Sequence, residues 1–180
     1  MRVRIGLVMC VVLALALPAG AQAALPTPHS TLIVPAKSLA GLKLGASLAS
    51  ATAAWGKGGT CGESGCNYES KNDKDGSASF LIAQTSVTAP IEVVKVSIEA
   101  GVTSLASTAK KNFDTPLDRF KTANGIGIGS TAAKLKHAYP HLKKPSTGLY
   151  ELAGPGESLT LFEVEEGRVS GISMQSIHLG

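Results

Sequence analysis

One stretch of this 180-residue chain is written twice, and any fold must accommodate both copies. Residues 41–56 read GLKLGASLASATAAWG, and residues 125–140 read GIGIGSTAAKLKHAYP. Superposed, Gly41 meets Gly125, Gly45 meets Gly129, Ala49 meets Ala133, Ala54 meets Ala138 and Trp55 meets Tyr139. Leu42 and Leu44 fall on Ile126 and Ile128. A recurrence of this kind is the signature of an architecture built from like units. In the first copy Ser47 is a good N-cap. Leu48, Ala51, Thr52 and Trp55 then share one helical face, and Gly56 stands where a helix end favours glycine. In the second copy Ser130 or Thr131 caps, Ala132, Leu135 and Tyr139 occupy the same face, and Pro140 stops the helix. Large Leu48 is matched by small Ala132, and small Ala51 by large Leu135, an exchange that keeps volume and is well tolerated in cores.

Strand patterns follow each helix. Asn67–Ser70 reads as a short strand, and Asn72-Asp73-Lys74-Asp75-Gly76 as a turn. Ser77–Ala83 alternates, with Ala78, Phe80 and Ile82 on one side. Ile91–Glu99 alternates more cleanly, with Val94, Val96 and Ile98 on one side and Lys95, Ser97 and Glu99 on the other. Such alternation predicts an antiparallel sheet with one buried and one wet face. In the second half Leu149–Leu152, Ser158–Val164 and Arg168–Gln175 are the strand candidates, with Gly154-Pro155-Gly156 and Glu165-Glu166-Gly167 as turns. Ser104–Phe113 has Leu105, Ala109 and Phe113 at helical steps, and Asp114–Ala123 is polar. The expected class is therefore α+β: two tandem helix-plus-three-strand repeats forming one antiparallel sheet of about six strands, covered by helices on one face. The expected division is a signal peptide over 1–23, an extended N-terminal arm over 24–36, a first repeat over 37–113, a linker over 114–123 and a second repeat over 124–180.

The start of the chain predicts export. Arg2 and Arg4 precede an apolar run from Ile5 to Ala16, and Ala21-Gln22-Ala23 is a small-residue cleavage site. The run is too short for a spanning helix, so no integral membrane segment is expected after cleavage. The 157 residues left from Ala24 suit one domain or one domain of two halves. Loss of Arg2 and Arg4 lowers the net charge from +4 to +2, which does not point to a nucleic-acid partner. Loss of Cys10 leaves Cys61 and Cys66, an even pair that reads as a disulfide in an oxidising space.

The glycines and apolar positions of AGLKLGASLASATAAWGK and NGIGIGSTAAKLKHAYP form a G-hydrophobic-x-hydrophobic-G-x-[ST] helix opening. In this the chain resembles secreted two-repeat proteins of the β-lactamase inhibitor protein type and, more distantly, small outer-membrane assembly lipoproteins with a helix–helix–sheet unit. The resemblance covers Lys37–Glu99 and Asn124–Ser176. It implies a curved sheet whose bare face grips a target enzyme. Here aromatics make up only 4% of the sequence, and the faces placed outward carry Lys95, Ser97, Glu99, Ser173 and Gln175. Binding hot spots favour Trp, Tyr and Arg, so this face differs from the aromatic grip of the inhibitor. The disulfide that the inhibitor has in each repeat is matched here in the first only.

Motifs for chemistry are incomplete. Ser107-Thr108-Ala109-Lys110 fits the S-x-x-K nucleophile pattern but lacks its S-D-N and K-T-G partners. Gly125-Ile126-Gly127-Ile128-Gly129-Ser130 resembles a dinucleotide loop, but Ser130 replaces the third glycine and no strand precedes it. Asp73, Asp75 and Gly76 suggest a calcium loop until Lys71 and Ile82 fall on ligand positions. His137 and His141 are four apart, with Pro140 between them and no acid or Cys to complete a metal site. Lys134, Lys136, Lys143 and Lys144 surround them and suit either a solvated face or contact with an anionic envelope polymer. The sequence reading is a secreted or envelope-located, monomeric, non-catalytic protein-binding module without cofactor or metal, inhibitor-like in form, its protein partner unidentified. The partner face is Lys95, Ser97, Glu99, Ser173 and Gln175. The alternatives are an envelope-associated structural factor that binds anionic cell-wall polymer through the four lysines, and a small secreted hydrolase without a recognisable motif.

Overall fold

The computed structural model describes residues 24–70, 72–84, 88–102 and 110–176. The expected signal peptide, Ser107 of the S-x-x-K pattern and most of the helix expected over Ser104–Phe113 lie outside them. In chain order the elements are β1 (Leu32–Val34), β2 (Ser38–Leu39), β3 (Leu42–Lys43), α1 (Leu48–Trp55), β4 (Thr60–Gly62), β5 (Gly65–Glu69), β6 (Ser77–Gln84) and β7 (Ile91–Glu99). They continue with β8 (Gly101–Val102), β9 (Lys111–Asn112), β10 (Lys121–Thr122), α2 (Ala132–Ala138), β11 (Lys143–Ser146), β12 (Leu149–Ala153), β13 (Ser158–Glu165) and β14 (Arg168–Ser176). One eight-stranded sheet dominates, in the order β11-β12-β13-β14-β7-β6-β5-β4. Every neighbouring pair in it is antiparallel. A four-stranded sheet, β10-β1-β2-β3, and the β8-β9 pair complete the set.

This corrects the expected α+β class of two helix-plus-three-strand repeats under a helical cover. Strand makes up 46% of the described structure and helix only 15%. Length explains why helices cannot be the cover. At about 1.5 Å per residue, α1 spans about 12 Å, whereas eight strands at about 4.8 Å spacing extend about 34 Å. The cover is instead made largely by the small sheet and by the stretch after β9. Ile33, Leu39, Leu42, Leu117, Phe120, Ile126 and Ile128 are all buried in one core cluster with the inner face of the large sheet. The stretch over 114–123 is thus no loose connector. Thr115 caps a short 3₁₀ turn at Pro116–Arg119, and β10 pairs in parallel with β1. The arm over 24–36 is docked as well: Ala24 N–H donates to Gly58 O at 2.6 Å, and Thr27 N–H to Trp55 O at 3.2 Å.

The large sheet is built from the alternation in its strands. Cross-strand register sets Tyr68, Ala78, Ile98, Ile172, Phe162 and Tyr150 in one inward row. Cys66, Phe80, Val96, Met174, Thr160 and Leu152 form the next row. α1 and α2 each lay one face on this core. Ser47 accepts from Ser50 N–H and Thr131 from Lys134 N–H, so both helices carry side-chain N-caps. Trp55 is buried edge-on to Tyr68 and Phe80, with ring centroids 5.4 and 6.0 Å away, and its indole N–H donates to Leu39 O at 3.2 Å. Leu135 is buried, and Tyr139 stacks on Phe162 at 5.8 Å. Leu48, expected on the inward face of α1, is exposed.

The glycine lead-ins to the two helices dock on the two central strands by the same bonds. Gly45 N–H donates to Val93 O and Val93 N–H to Ala46 O, at 2.9 and 2.8 Å; Gly129 N–H donates to Val169 O and Val169 N–H to Ser130 O, again at 2.9 and 2.8 Å. Gly45 and Gly129 have φ of +77° and +80°, a region that favours glycine. Beside each dock the strand gains one residue, Val94 in β7 and Ser170 in β14. Such a bulge changes which residues face inward beyond it. Val93, not the expected Val94, therefore joins Val96 and Ile98 in the core cluster, and Val94 is buried outside it.

Candidate functional site

The outward face of the large sheet assembles the residues singled out by alternation. β7 and β14 are direct neighbours at its centre, and their register pairs Lys95 with Gln175 and Ser97 with Ser173. Glu99 lies opposite Gly171 on the same face. All five expected residues therefore share one face, on which Glu99 is exposed, Lys95 and Gln175 are half-buried, and Ser97 and Ser173 are buried. The register extends it: Asn67, Ser79, Ser97, Ser173, Leu161 and Glu151 form one row across the strands. Glu69, Ser77, Glu99, Gly171, Glu163 and Leu149 form the next. Ser79 and Ser97 share a hydroxyl hydrogen bond of 2.8 Å. At Gly171 an added Cβ would come within 3.0 Å of the Glu163 carboxylate, so the missing side chain gives that carboxylate room over the strand. Leu81, across from Lys95, is well exposed.

Ser79, Leu81 and Glu163 belong to this face and were not singled out from the sequence. The alternation that turned Ala78, Phe80 and Ile82 inward carried the signal for Ser79 and Leu81. β13 gave no such signal, because SLTLFEVE places apolar residues on both faces.

Of the four lysines expected to act together, Lys136 and Lys144 converge on one ring, Lys143 stands beside them on β11, and Lys134 is turned to the backbone. Lys134 Nζ donates to Gly125 O at 3.0 Å, which ties the start of the lead-in to α2. Lys143 stands on β11 opposite Glu151. Lys136 from α2 and Lys144 from β11 both reach Tyr150, with ammonium groups 5.6 and 5.9 Å from the ring centroid. His137 and His141 are exposed. Among the described residues no group of three or more His, Cys, Asp or Glu is placed to hold a metal ion.

A shallow cleft of about 550 Å³ beside α2 is lined by Asp114, Asp118, Lys121, Ser130, Lys134 and Arg168 among others. Two of its cations serve the backbone: Arg168 Nη1 donates to Gly129 O at 3.0 Å, as Lys134 does to Gly125 O. Cys61 and Cys66 form the expected disulfide, joining directly opposed residues of β4 and β5. No helix among the described residues is long and apolar enough to cross a membrane.

No protein-family model matches the chain, and neither the curated proteins nor the solved structures give a significant match. The likeness to the β-lactamase inhibitor protein thus rests on the glycine and apolar spacing of the sequence.

Proposed function

We propose that the chain is a non-catalytic, extracytoplasmic protein-binding module that receives a basic protein surface on the outward face of its eight-stranded sheet. The observation that carries this reading is the register that gathers small hydroxyl side chains at the centre of that face and carboxylates around them. Four carboxylates, Glu69, Glu99, Glu151 and Glu163, stand there against the ammonium groups of Lys95 and Lys143. Complementary charge steers encounter and selects partners. The serines let a partner's side chains approach the strands closely, and exposed Leu81 supplies apolar area to remove from water. The disulfide supports the extracytoplasmic part, since such bonds persist in oxidising compartments. An inhibitor-like action, in which the sheet lies across an enzyme, is the finer form of the same reading.

The test is capture of secreted and envelope proteins on the full chain and on a Leu81→Arg/Glu99→Arg variant. Both positions are exposed, so the variant should fold. A partner is expected on the native chain and on a Lys136→Gln/Lys144→Gln control, and depleted about tenfold or more on the face variant, since reversed charge costs a few kcal/mol at an interface. Identical sets of captured proteins on all three would rule the reading out.

A further inference from the structure

Between Asp118 and Glu151 the chain has no acidic residue, yet Arg119, Lys121, Lys134, Lys136, Lys143 and Lys144 all fall there. Some of these cations serve the fold itself. Arg119 Nη2 donates to Pro26 O at 2.8 Å, and Lys134 to Gly125 O at 3.0 Å. Lys136, Lys143 and Lys144 do not. All three are exposed, and none forms an ion pair with a described acid. Tyr150 is buried against the core, and its ring orients Lys136 and Lys144 from two different elements. A ring face attracts each ammonium and orders its stem, so two like charges are held near one point.

We propose that the outer edge formed by α2 and β11 binds a linear polyanion of the cell envelope through Lys136, Lys143 and Lys144. The site is open, which suits a chain of repeated charges better than one enclosed ion: each lysine displaces a counterion from the polymer, and the gains add. His137 and His141, exposed beside the lysines, add imidazole N–H donors. Lysines and Pro145 on an edge strand also deter pairing with further strands. That role needs no ligand, and the controls below separate the two. The site shares one residue with the sheet face, Lys143, which stands opposite Glu151 on its outward side; Lys136 and Lys144 lie outside that face, so loss of binding in Lys144→Glu reads this site alone.

The experiment titrates the full chain with long-chain polyphosphate and with polygalacturonate at low salt and again at higher salt. A Lys136→Gln/Lys143→Gln/Lys144→Gln variant is expected to lose affinity about tenfold or more, and its salt slope should fall by about 0.7–0.9 per lysine removed. A control, Lys37→Gln/Lys43→Gln/Lys57→Gln, makes the same change in net charge elsewhere and should bind as the native chain does. Lys144→Glu alone gives a second reading should the triple variant melt early. Binding to polyphosphate only assigns a phosphate-bearing polymer, and binding to both polymers assigns any linear polyanion. The proposal is overturned by no binding to either, by equal losses in the two triple variants, or by retention on phosphatidylglycerol vesicles alone.

Discussion

Tyr68 joins three parts of the molecule through one side chain. It is fully buried, its hydroxyl donates to Gly56 O at 2.9 Å at the end of α1, and its ring meets the edge of Trp55. Gly59 lies against the ring so closely that an added Cβ would come within 2.8 Å of it, which is why the backbone there carries no side chain. Burial raises the phenol above its ordinary value of 10.0. In the pH range above that value, the unfolded chain releases the proton while the folded chain still holds it. The contribution is therefore complete below about pH 10 and is lost as pH rises further. Tyr68→Phe is expected to cost about 1 kcal/mol at neutral pH through the lost hydrogen bond, and to lack this part of the alkaline decline. Urea unfolding followed by the emission of Trp55, the single tryptophan of the chain, measures both; a variant that declines as the native chain does above pH 10 would show that Tyr68 is not the group responsible.

Among the elements, the β4–β5 hairpin depends most on a covalent bond. β4 ends the large sheet and pairs with β5 alone, and all three of its residues are exposed. Reduction of Cys61–Cys66 is expected to lower stability by about 2 kcal/mol in the chain-entropy account of so short a loop, with amide exchange accelerating first in Thr60–Gly62. Unfolding curves with and without reductant test the magnitude. The exposure that makes β4 dependent also hid it from the sequence. Strands β6, β7 and β14 were legible because burial of one face imposes alternation, whereas β4 and β11, exposed throughout, have no periodicity to read. The strands of the small sheet are two or three residues long, too short for any window. Thr115, Leu117, Phe120 and Thr122 are buried within a stretch that is polar by composition. Toward the end of the helix expected over Ser104–Phe113, Lys111–Asn112 instead pairs with Gly101–Val102, so those two residues are strand. The cap at Ser47 was legible, and that at Thr131 as one of two candidates with Ser130, because capping is local chemistry. The outward face was legible in the alternation of β6, β7 and β14; the apolar residues on both sides of β13 hid Glu163.

Across the whole molecule, the middle of the sheet is a seam between strands far apart in sequence. β14, near the end of the described chain, pairs with β7 from Gly171–Glu99 to Gln175–Lys95 and buries Ile172 and Met174. A chain ending at Glu165 is expected to show no cooperative thermal transition, because β13 and β7 would each lose their partner at the centre of the core; calorimetry of that truncated chain provides the check, and a sharp transition would show that the seam is dispensable. The parallel pairing of β1 with β10 imposes a similar wait at the other sheet. Contacts between distant segments form slowly because a long loop must first close. Produced from its first residue onward, the polypeptide can bring the centre of its sheet together only once β14 has been delivered, about seventy residues after β7.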